Sequence, residues 1–288
     1  MKLSYSGNLM YQECPRKFKY KYIDKIKEKT KSSALLFGGS LDQALNCLLL
    51  TKKKNLTEEE QKLITKSPID IFLQAFSDES LPIDYSYSDI DPTIFDDTAF
   101  LTNLIDHWKT FKIKDEEFTS YAKRSLFKKA KLFLESYENE VLPQIVEVYK
   151  VQTKIELPNE DGDSLIGGLD FTALFNDGKI YVVDNKTTST SYKDDSASTS
   201  DQLAIYSEAE QNENVMYITI DKKLRKKNPR VKIKLIRGVI TEEKKQEIFD
   251  MLGNTLYNIR NEVFDKKEDK GQCFSYGKRC PYFDLCWK

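Results

Sequence analysis

The segment from residue 164 to residue 187 constrains the fold of this chain more than any other part of the sequence. It contains two runs rich in Val, Ile, Leu, Phe and Tyr, residues 164–175 and 179–187, separated by the letters NDG. Runs of that composition on either side of an Asp-Gly turn are typical of a β-hairpin. Because both runs are largely apolar, we expect their strands to be buried.

The length of the turn decides which residues of the hairpin face each other. A three-residue loop with glycine in the left-handed conformation pairs Phe175 with Lys179, and Asp170 then lies opposite Asp184 on the same face. A two-residue Asp-Gly turn places Asn185 opposite Asp170 instead. The sequence allows both turns, and we predict the three-residue loop.

Two charged residues, Asp184 and Lys186, follow the apolar residues 180–183 at the end of the second strand. A buried charge is costly unless it is paired or binds a metal. Two neighbouring carboxylates repel each other unless a cation lies between them, and oxygen ligands select hard ions such as Mg²⁺ or Mn²⁺. A nearby ammonium can orient a water and stabilise charge on a phosphate. The alternative is an Asp184–Lys186 ion pair at the surface.

The periodicity of the chain changes near residue 140. Apolar residues at helical spacing predict helices over residues 6–24, 34–51, 57–77, 96–139, 200–210 and 241–263. Runs rich in β-branched and aromatic residues predict strands over residues 145–157, 164–175, 179–187, 214–220 and 230–240. This order predicts an α/β fold with a central mixed sheet flanked by helices, a helical insertion over residues 52–140 and a cysteine-rich tail over residues 268–288.

Charge is segregated along the chain, although the net charge is only −1. Residues 16–31 hold eight basic and two acidic residues, residues 222–234 hold eight basic residues and no acid, and residues 78–117 hold eleven acids. Such segregation can build a positive face that follows a phosphate backbone, with the acidic part turned away. The alternative is that the lysine-rich stretches are simply solvated faces.

The location that the sequence favours is the cytoplasm. No apolar run approaches the roughly 20 residues of a membrane span, and the first residues lack the apolar core of a secretory signal. Disulfides are not expected in that compartment.

Five cysteines fall into two groups. Cys47 lies in the leucine-rich stretch ALNCLLL and is expected in the core. The other four fit an iron–sulfur cluster or a structural Zn²⁺, with reduced, unligated thiols as the alternative: Cys14, Cys273, Cys280 and Cys286. A metal centre would hold the polar tail against Cys14. His107 lies on an amphipathic helix, and we assign it no ligand role.

Together these motifs resemble the PD-(D/E)xK nuclease superfamily, in the RecB-like group that includes CRISPR-associated exonucleases and phage relatives. The similar stretches occur in the order of that group: LSYSGNLMYQECPRKFKYKYID, FGGSLDQALNCLL, IGGLDFTALF, YVVDNKT, QLAIY and the cysteine tail. The resemblance does not cover residues 52–140. It implies a restriction-endonuclease-like fold and a single RecB-like nuclease domain over residues 1–288.

The resemblance also implies roles for individual residues. Asp170 and Asp184 would bind the metal, with the Val183 carbonyl as a further ligand, and Lys186 would position the attacking water. The group often has a histidine ligand where Asp42 stands here, and an aspartate can still bind a metal and suits a harder ion. Two residues one helical turn apart would contact DNA or support the site: Gln202 and Tyr206.

The resemblance further implies that the four cysteines hold a 4Fe–4S cluster. The basic stretches would flank a groove for single-stranded DNA, with tyrosine rings offered for stacking. The residues expected to bind DNA are Arg16, Lys17, Lys19, Tyr20, Arg225, Lys226 and Lys227.

The function expected from these features is that of a Mg²⁺- or Mn²⁺-dependent deoxyribonuclease, an exonuclease rather than an endonuclease. Its substrate would be single-stranded DNA or DNA ends in recombination, repair or CRISPR-type processing, in a prokaryotic or phage-infected cell. The acidic insertion is a candidate surface for a protein partner, and no membrane is expected. One alternative is a non-catalytic DNA-binding accessory subunit that retains the fold. The other is a sequence-specific endonuclease that shares the core.

Overall fold

The computed structural model of the chain describes residues 1–77, 80–159, 161–224, 231–275 and 278–287. The strands, in chain order, are β1 (Lys2–Ser4), β2 (Lys31–Ser32), β3 (Ile83–Asp84), β4 (Ile145–Pro158), β5 (Ser164–Phe175), β6 (Ile180–Thr188), β7 (Asn214–Asp221), β8 (Ile233–Val239), β9 (Phe274–Ser275) and β10 (Lys278–Arg279). The α-helices are α1 (Tyr5–Glu13), α2 (Pro15–Phe18), α3 (Ser33–Leu50), α4 (Glu58–Ile64), α5 (Pro68–Phe76), α6 (Thr98–Phe111), α7 (Glu116–Glu140), α8 (Asp201–Glu210), α9 (Glu242–Arg260) and α10 (Phe283–Cys286).

A mixed sheet of β1, β4, β5, β6, β7 and β8 lies at the centre of the fold. β4 pairs with β5 along its whole length, antiparallel, on one edge. On the other edge, β1 runs parallel to the start of β5 and β6 runs antiparallel to its end. β7 is parallel to β6, and β8 is antiparallel to β7. The predicted α/β class with a mixed sheet is confirmed.

The hairpin of β5 and β6 has the three-residue loop that the sequence predicted. The Phe175 N–H donates to the Lys179 carbonyl at 3.0 Å, and Gly178 has a φ of +78°. The ladder pairs Phe171 with Val183, so the next pair in the same register is Asp170 and Asp184. Residues 167–170 lie between the parts of β5 that pair with β1 and with β6. The two aspartates therefore meet where the strands of the hairpin separate.

Apolar side chains bury both faces of the sheet. On one face, buried residues of α3, α5, α6 and α7 pack against residues such as Val183 and Met216. On the other face, α1, α8 and α9 pack against residues such as Val182 and Tyr217. Successive residues of one strand thus face different layers, as strand geometry requires. α3 is long and apolar enough to cross a membrane by length and composition, but 67% of it is buried inside the fold.

Aromatic packing fixes α3 against its neighbours. The ring of Phe37 lies 5.6 Å from Phe72 of α5 and 5.9 Å from Phe133 of α7, both at steep interplanar angles. All three rings are buried, and each such side chain stabilises the fold by about 1.5–3 kcal/mol relative to exposure. This packing sets the position of Asp42, one turn further along the helix.

Three helices predicted as continuous are interrupted, each for a local reason. The segment 6–24 breaks at Cys14, whose extended backbone is the conformation favoured before Pro15. The segment 57–77 divides into α4 and α5, because Pro68 begins the second helix. The segment 96–139 divides where Lys112 adopts a left-handed conformation and Asp115 caps α7.

Other differences concern short elements. β1 has only three residues and no detectable sequence pattern, yet Leu3 pairs with Leu165 and is buried. In the segment 187–200, β6 continues to Thr188, and Ala197 is buried within the loop that follows. The tail contains the short elements β9, β10 and α10. Arg230, in the predicted strand 230–240, lies outside the described residues.

Candidate active site

The carboxylates of Asp170 and Asp184 and the ammonium of Lys186 meet where the strands of the β5–β6 hairpin separate. Asp184 is buried and Asp170 is half-buried. Asp184 is only 2% exposed, and its Oδ2 lies 2.6 Å from the Lys186 Nζ. Asp170 Oδ2 accepts a hydrogen bond from the Asn185 N–H at 2.8 Å. Because Asp184 is buried, the pair with Lys186 is not the surface ion pair that the sequence left open as an alternative.

Helix α8 holds the ammonium of Lys186. The Lys186 Nζ donates to Gln202 Oε1 at 2.8 Å, and Gln202 Nε2 donates to the Tyr206 hydroxyl at 2.8 Å. Nζ also lies 5.9 Å from the centroid of the Tyr217 ring. The structure therefore joins Lys186, Gln202 and Tyr206 in one hydrogen-bonded chain.

Two small residues position that helix. Ser200 caps its N-terminus by accepting from the Leu203 N–H at 3.1 Å, and its hydroxyl lies 2.5 Å from the Tyr217 hydroxyl. Gly167 on β5 leaves room for the Tyr206 ring, since a Cβ at that position would lie 2.9 Å from the ring. A larger residue at 167 would displace Tyr206.

Asp42 on α3 joins the two hairpin carboxylates electrostatically. Burial and the charge of Asp184 raise the pKa of Asp42 to about 6, against the opposing effect of Lys186. Burial and the charges of Asp184 and Asp42 raise the pKa of Asp170 well above its ordinary value. Burial also raises the pKa of Asp184, although Lys186 counteracts it. The three acids thus form one cluster in which each negative charge disfavours the next.

The donor chemistry of this cluster fits a hard divalent cation. Asp184 Oδ2 is buried, with the Lys186 ammonium 2.6 Å away. Clustered carboxylate oxygens are the ligands that Mg²⁺ and Mn²⁺ prefer. Within the described ranges, no three His, Cys, Asp or Glu side chains converge closely enough to hold a metal as they stand.

Tyr137 lies near the site, and the sequence did not indicate it. The Tyr137 hydroxyl, on α7, donates to Asn185 Oδ1 at 3.1 Å, while the Asn185 N–H binds Asp170. Tyr137 is fully buried, and burial together with the charge of Asp170 raises its pKa. It lies 48 residues before Asn185, so no local pattern links the two. The contact connects α7 to the strand that carries Asp184.

The four cysteines assigned to the iron–sulfur cluster are free thiols. Among the residues that the structure describes, they do not converge closely enough to hold a metal as they stand. Burial raises the pKa of Cys280, and Cys273 and Cys14 add to that effect. Burial likewise raises the pKa of Cys286, with Cys14 and Cys273 contributing. The Cys280 N–H donates to the Cys273 carbonyl at 2.8 Å. Cys47 is buried in α3, as predicted for a core residue.

Contacts of Tyr282 bring the tail against the N-terminal helices. Its hydroxyl donates to the Ile26 carbonyl at 3.0 Å, and its ring lies 5.6 Å from that of Tyr20. The tail is therefore in direct contact with the segment that follows α2.

Several residues expected to bind DNA have partners within the protein. Lys17 pairs with Glu13 at 2.9 Å, and Lys19 pairs with Asp24 at 2.8 Å. The Arg16 N–H donates to the Asp265 carbonyl at 3.2 Å. Such half-exposed pairs are weak and can exchange for phosphate. Three further expected residues lie outside the described residues: Arg225, Lys226 and Lys227.

An acidic cluster and a tethered lysine thus lie where the inner strands β5 and β6 of a mixed sheet separate. Residues 2–287 match the PD-(D/E)XK nuclease superfamily. The chain belongs to that superfamily.

Comparison with individual proteins adds little to this assignment. No curated protein sequence matches the chain. Among solved structures, one titled "Crystal structure of SSO0001" has a TM-score of 0.32 and 15% sequence identity, and covers 63% of this chain and 78% of that one. Similarity at that level carries no argument about function.

Proposed function

We propose that this protein is a Mg²⁺- or Mn²⁺-dependent DNA exonuclease. Its superfamily implies a nuclease with a nucleic-acid substrate, and members generally use one of these ions. The observation that carries the proposal is the cluster of Asp42, Asp170 and Asp184 beside a lysine held by Gln202. Acids that repel one another at a strand end, with a fixed ammonium beside them, suit hydrolysis of a phosphodiester.

The residues of the site divide the chemical work among them. Asp170 and Asp184, with Asp42 beside them, would hold the divalent ion, which when bound supplies acidification of water and neutralisation of phosphate charge. Lys186 would orient the attacking water and stabilise negative charge on the phosphate. Burial lowers the pKa of Lys186, but the charge of Asp184 outweighs burial and the pKa is raised. In this arrangement Lys186 is a cation held beside Asp184.

The exonuclease assignment and the link to RecB-like enzymes rest on the motifs at the two ends of the chain. The segment containing Cys14, and the three tail cysteines, support a 4Fe–4S cluster that holds the tail, with structural Zn²⁺ as the alternative. Electrostatic interactions of Cys280 and Cys286 with Cys14 and Cys273 support such a group, since a bound metal would stabilise the thiolates that burial disfavours. We propose a cytoplasmic location, a compartment in which free thiols stay reduced.

A substrate comparison tests this function. We expect Mg²⁺- or Mn²⁺-dependent degradation of linear single-stranded or end-bearing DNA, no cleavage of closed circles, and inhibition by blocking either the 5′ or the 3′ end. Cleavage of circles would establish the endonuclease alternative. DNA binding without cleavage at any metal concentration would establish the accessory subunit, for which Asp42 in place of a histidine is the best support.

A further inference from the structure

A polar groove lies between α3, α4 and α5, outside the carboxylate cluster. It encloses about 520 Å³, within the range of small-molecule and nucleotide sites. The residues that line it are Lys31, Leu35, Leu36, Gly39, Ser40, Gln43, Leu63, Lys66, Ile71, Gln74 and Ala75. The lining residues on and beside α4 and α5 belong to the region 52–140, which the resemblance to RecB-like nucleases does not cover.

The groove begins beside the carboxylate cluster. Gly39 and Gln43 line it, and they lie three residues before and one residue after Asp42 on the same helix. Residues three apart on a helix are surface neighbours. Asp42 in turn interacts electrostatically with Asp184. A chain bound in the groove would therefore lie against the helix that carries Asp42.

The charge of the lining selects a polyanion. Two lysines, Lys31 and Lys66, line the groove, together with the neutral polar residues Ser40, Gln43 and Gln74. Among the residues that the structure describes, no acid lines it, although the chain contains 46 acidic residues. The remaining lining is apolar, and a mixture of cationic and apolar walls suits a nucleotide, which combines an anionic phosphate with an apolar base face.

We infer that this groove binds the DNA strand on one side of the scissile phosphate, with Lys31 and Lys66 on its backbone phosphates. The inference rests on the proposed nuclease function and extends it, since it assigns a substrate-binding surface to α4 and α5. It makes the first half of the region 52–140 part of the substrate path.

A charge substitution with a matched control tests the inference. Lys62 lies on α4 near Lys66, is exposed and does not line the groove, so Lys62→Ala changes the net charge equally. Binding of a fluorescent single-stranded oligonucleotide is measured by anisotropy in EDTA, at several salt concentrations. We expect Lys66→Ala to weaken binding about five-fold and to reduce the slope of log affinity against log salt by about 0.7, as for one lost phosphate contact. Equal affinities and slopes for Lys66→Ala and Lys62→Ala would overturn the inference.

A steric substitution tests the same groove independently. A Cβ at Gly39 would meet no atom within 4 Å, so Gly39→Leu projects into open space and does not disturb the helix. Gly253, mid-way along α9 with equally open surroundings, provides the control Gly253→Leu. We expect Gly39→Leu to lower oligonucleotide affinity at least five-fold while its Tm stays at or above that of the wild type. Affinity equal to that of Gly253→Leu would contradict the inference.

The two hypotheses fail in different ways. If the wild type neither binds nor degrades DNA, the proposed function is wrong and the groove has no substrate. If the wild type does both, and the Lys66 and Gly39 variants behave as their controls, the nuclease assignment stands and only the groove is wrong.

Discussion

Asp170 of β5 and Asp184 of β6 occupy facing positions across the hairpin, and the Asn185 N–H next to Asp184 donates to Asp170 Oδ2 at 2.8 Å. The position of each acid follows from the three-residue turn, because a shift of one residue would move Asp184 to the other face of the sheet. The turn at residues 176–178, six residues from either acid, thus determines whether the two acids can face each other.

The turn itself is expected to be sensitive at Gly178. Its φ of +78° is unfavourable for any residue with a Cβ, so Gly178→Ala should lower the free energy of unfolding by about 1–2 kcal/mol. Urea denaturation measures the change. Gly253→Ala, within helix α9, is the control and should raise stability by about 0.5–1 kcal/mol. A neutral or stabilising effect at Gly178 would show that the loop tolerates another conformation.

Gln202 is expected to position Lys186. Gln202→Leu removes the hydrogen bonds of this side chain to Lys186 and Tyr206 but keeps much of its volume. Loss of a supporting contact of this kind lowers activity about 10–100-fold. We expect that decrease in kcat with little change in KM or Tm. Tyr206→Phe removes only the hydrogen bond between Gln202 and Tyr206 and should lower kcat less. A larger decrease in kcat for Tyr206→Phe than for Gln202→Leu would contradict the proposal that Gln202 positions Lys186.

The contact between Tyr137 and Asn185 is expected to couple α7 to the catalytic strand. Tyr137→Phe leaves the Asn185 amide without its buried donor and should cost about 1–3 kcal/mol of folding free energy. A double-mutant cycle with Asn185→Ala isolates the pair. We expect a coupling energy of about 0.5–1.5 kcal/mol. Strictly additive effects would mean that the two residues do not depend on each other.

The tail cysteines are expected to bind an iron–sulfur cluster. Protein purified without oxygen should be brown, with broad absorbance at about 400 nm from thiolate-bound iron, and Cys280→Ser should remove the colour. Cys47→Ser, at the buried cysteine of α3, is the control and should keep it. A colourless protein that carries one zinc per chain would establish the structural Zn²⁺ alternative, and a metal-free tail would contradict both.

The sequence predicted local features of the site well and distant ones poorly. The turn residues and the apolar strands determine the register of Asp170 and Asp184, because turn chemistry acts within a few residues. Gln202 and Tyr206 were placed on one helical face by their spacing alone. By contrast, Tyr137 reaches Asn185 only through the packing of α7 on the sheet, and no periodicity encodes that contact. The groove beside Asp42 likewise arises from the packing of three helices.

The helix boundaries show the same distinction. Pro15 and Pro68 each mark the start of a helix. The helical spacing of apolar residues on both sides of each proline nevertheless predicted one continuous helix. β1 is the opposite case, since three residues hold no pattern and its position depends on pairing with β5.

Neutralising the buried carboxylate of Asp184 tests the central claim most directly. Asp184→Asn removes a charge that burial disfavours and that disfavours the ionised form of Asp170. It also removes the anionic partner of Lys186, so we expect a folded protein with a lower Tm. Degradation of end-labelled DNA with Mg²⁺ or Mn²⁺ is measured for the wild type, Asp184→Asn, Lys186→Ala and the surface control Asp106→Asn. We predict loss of cleavage in the first two variants, with circular dichroism and DNA binding retained, and wild-type cleavage in the control. Full activity in folded Asp184→Asn or Lys186→Ala would contradict the account.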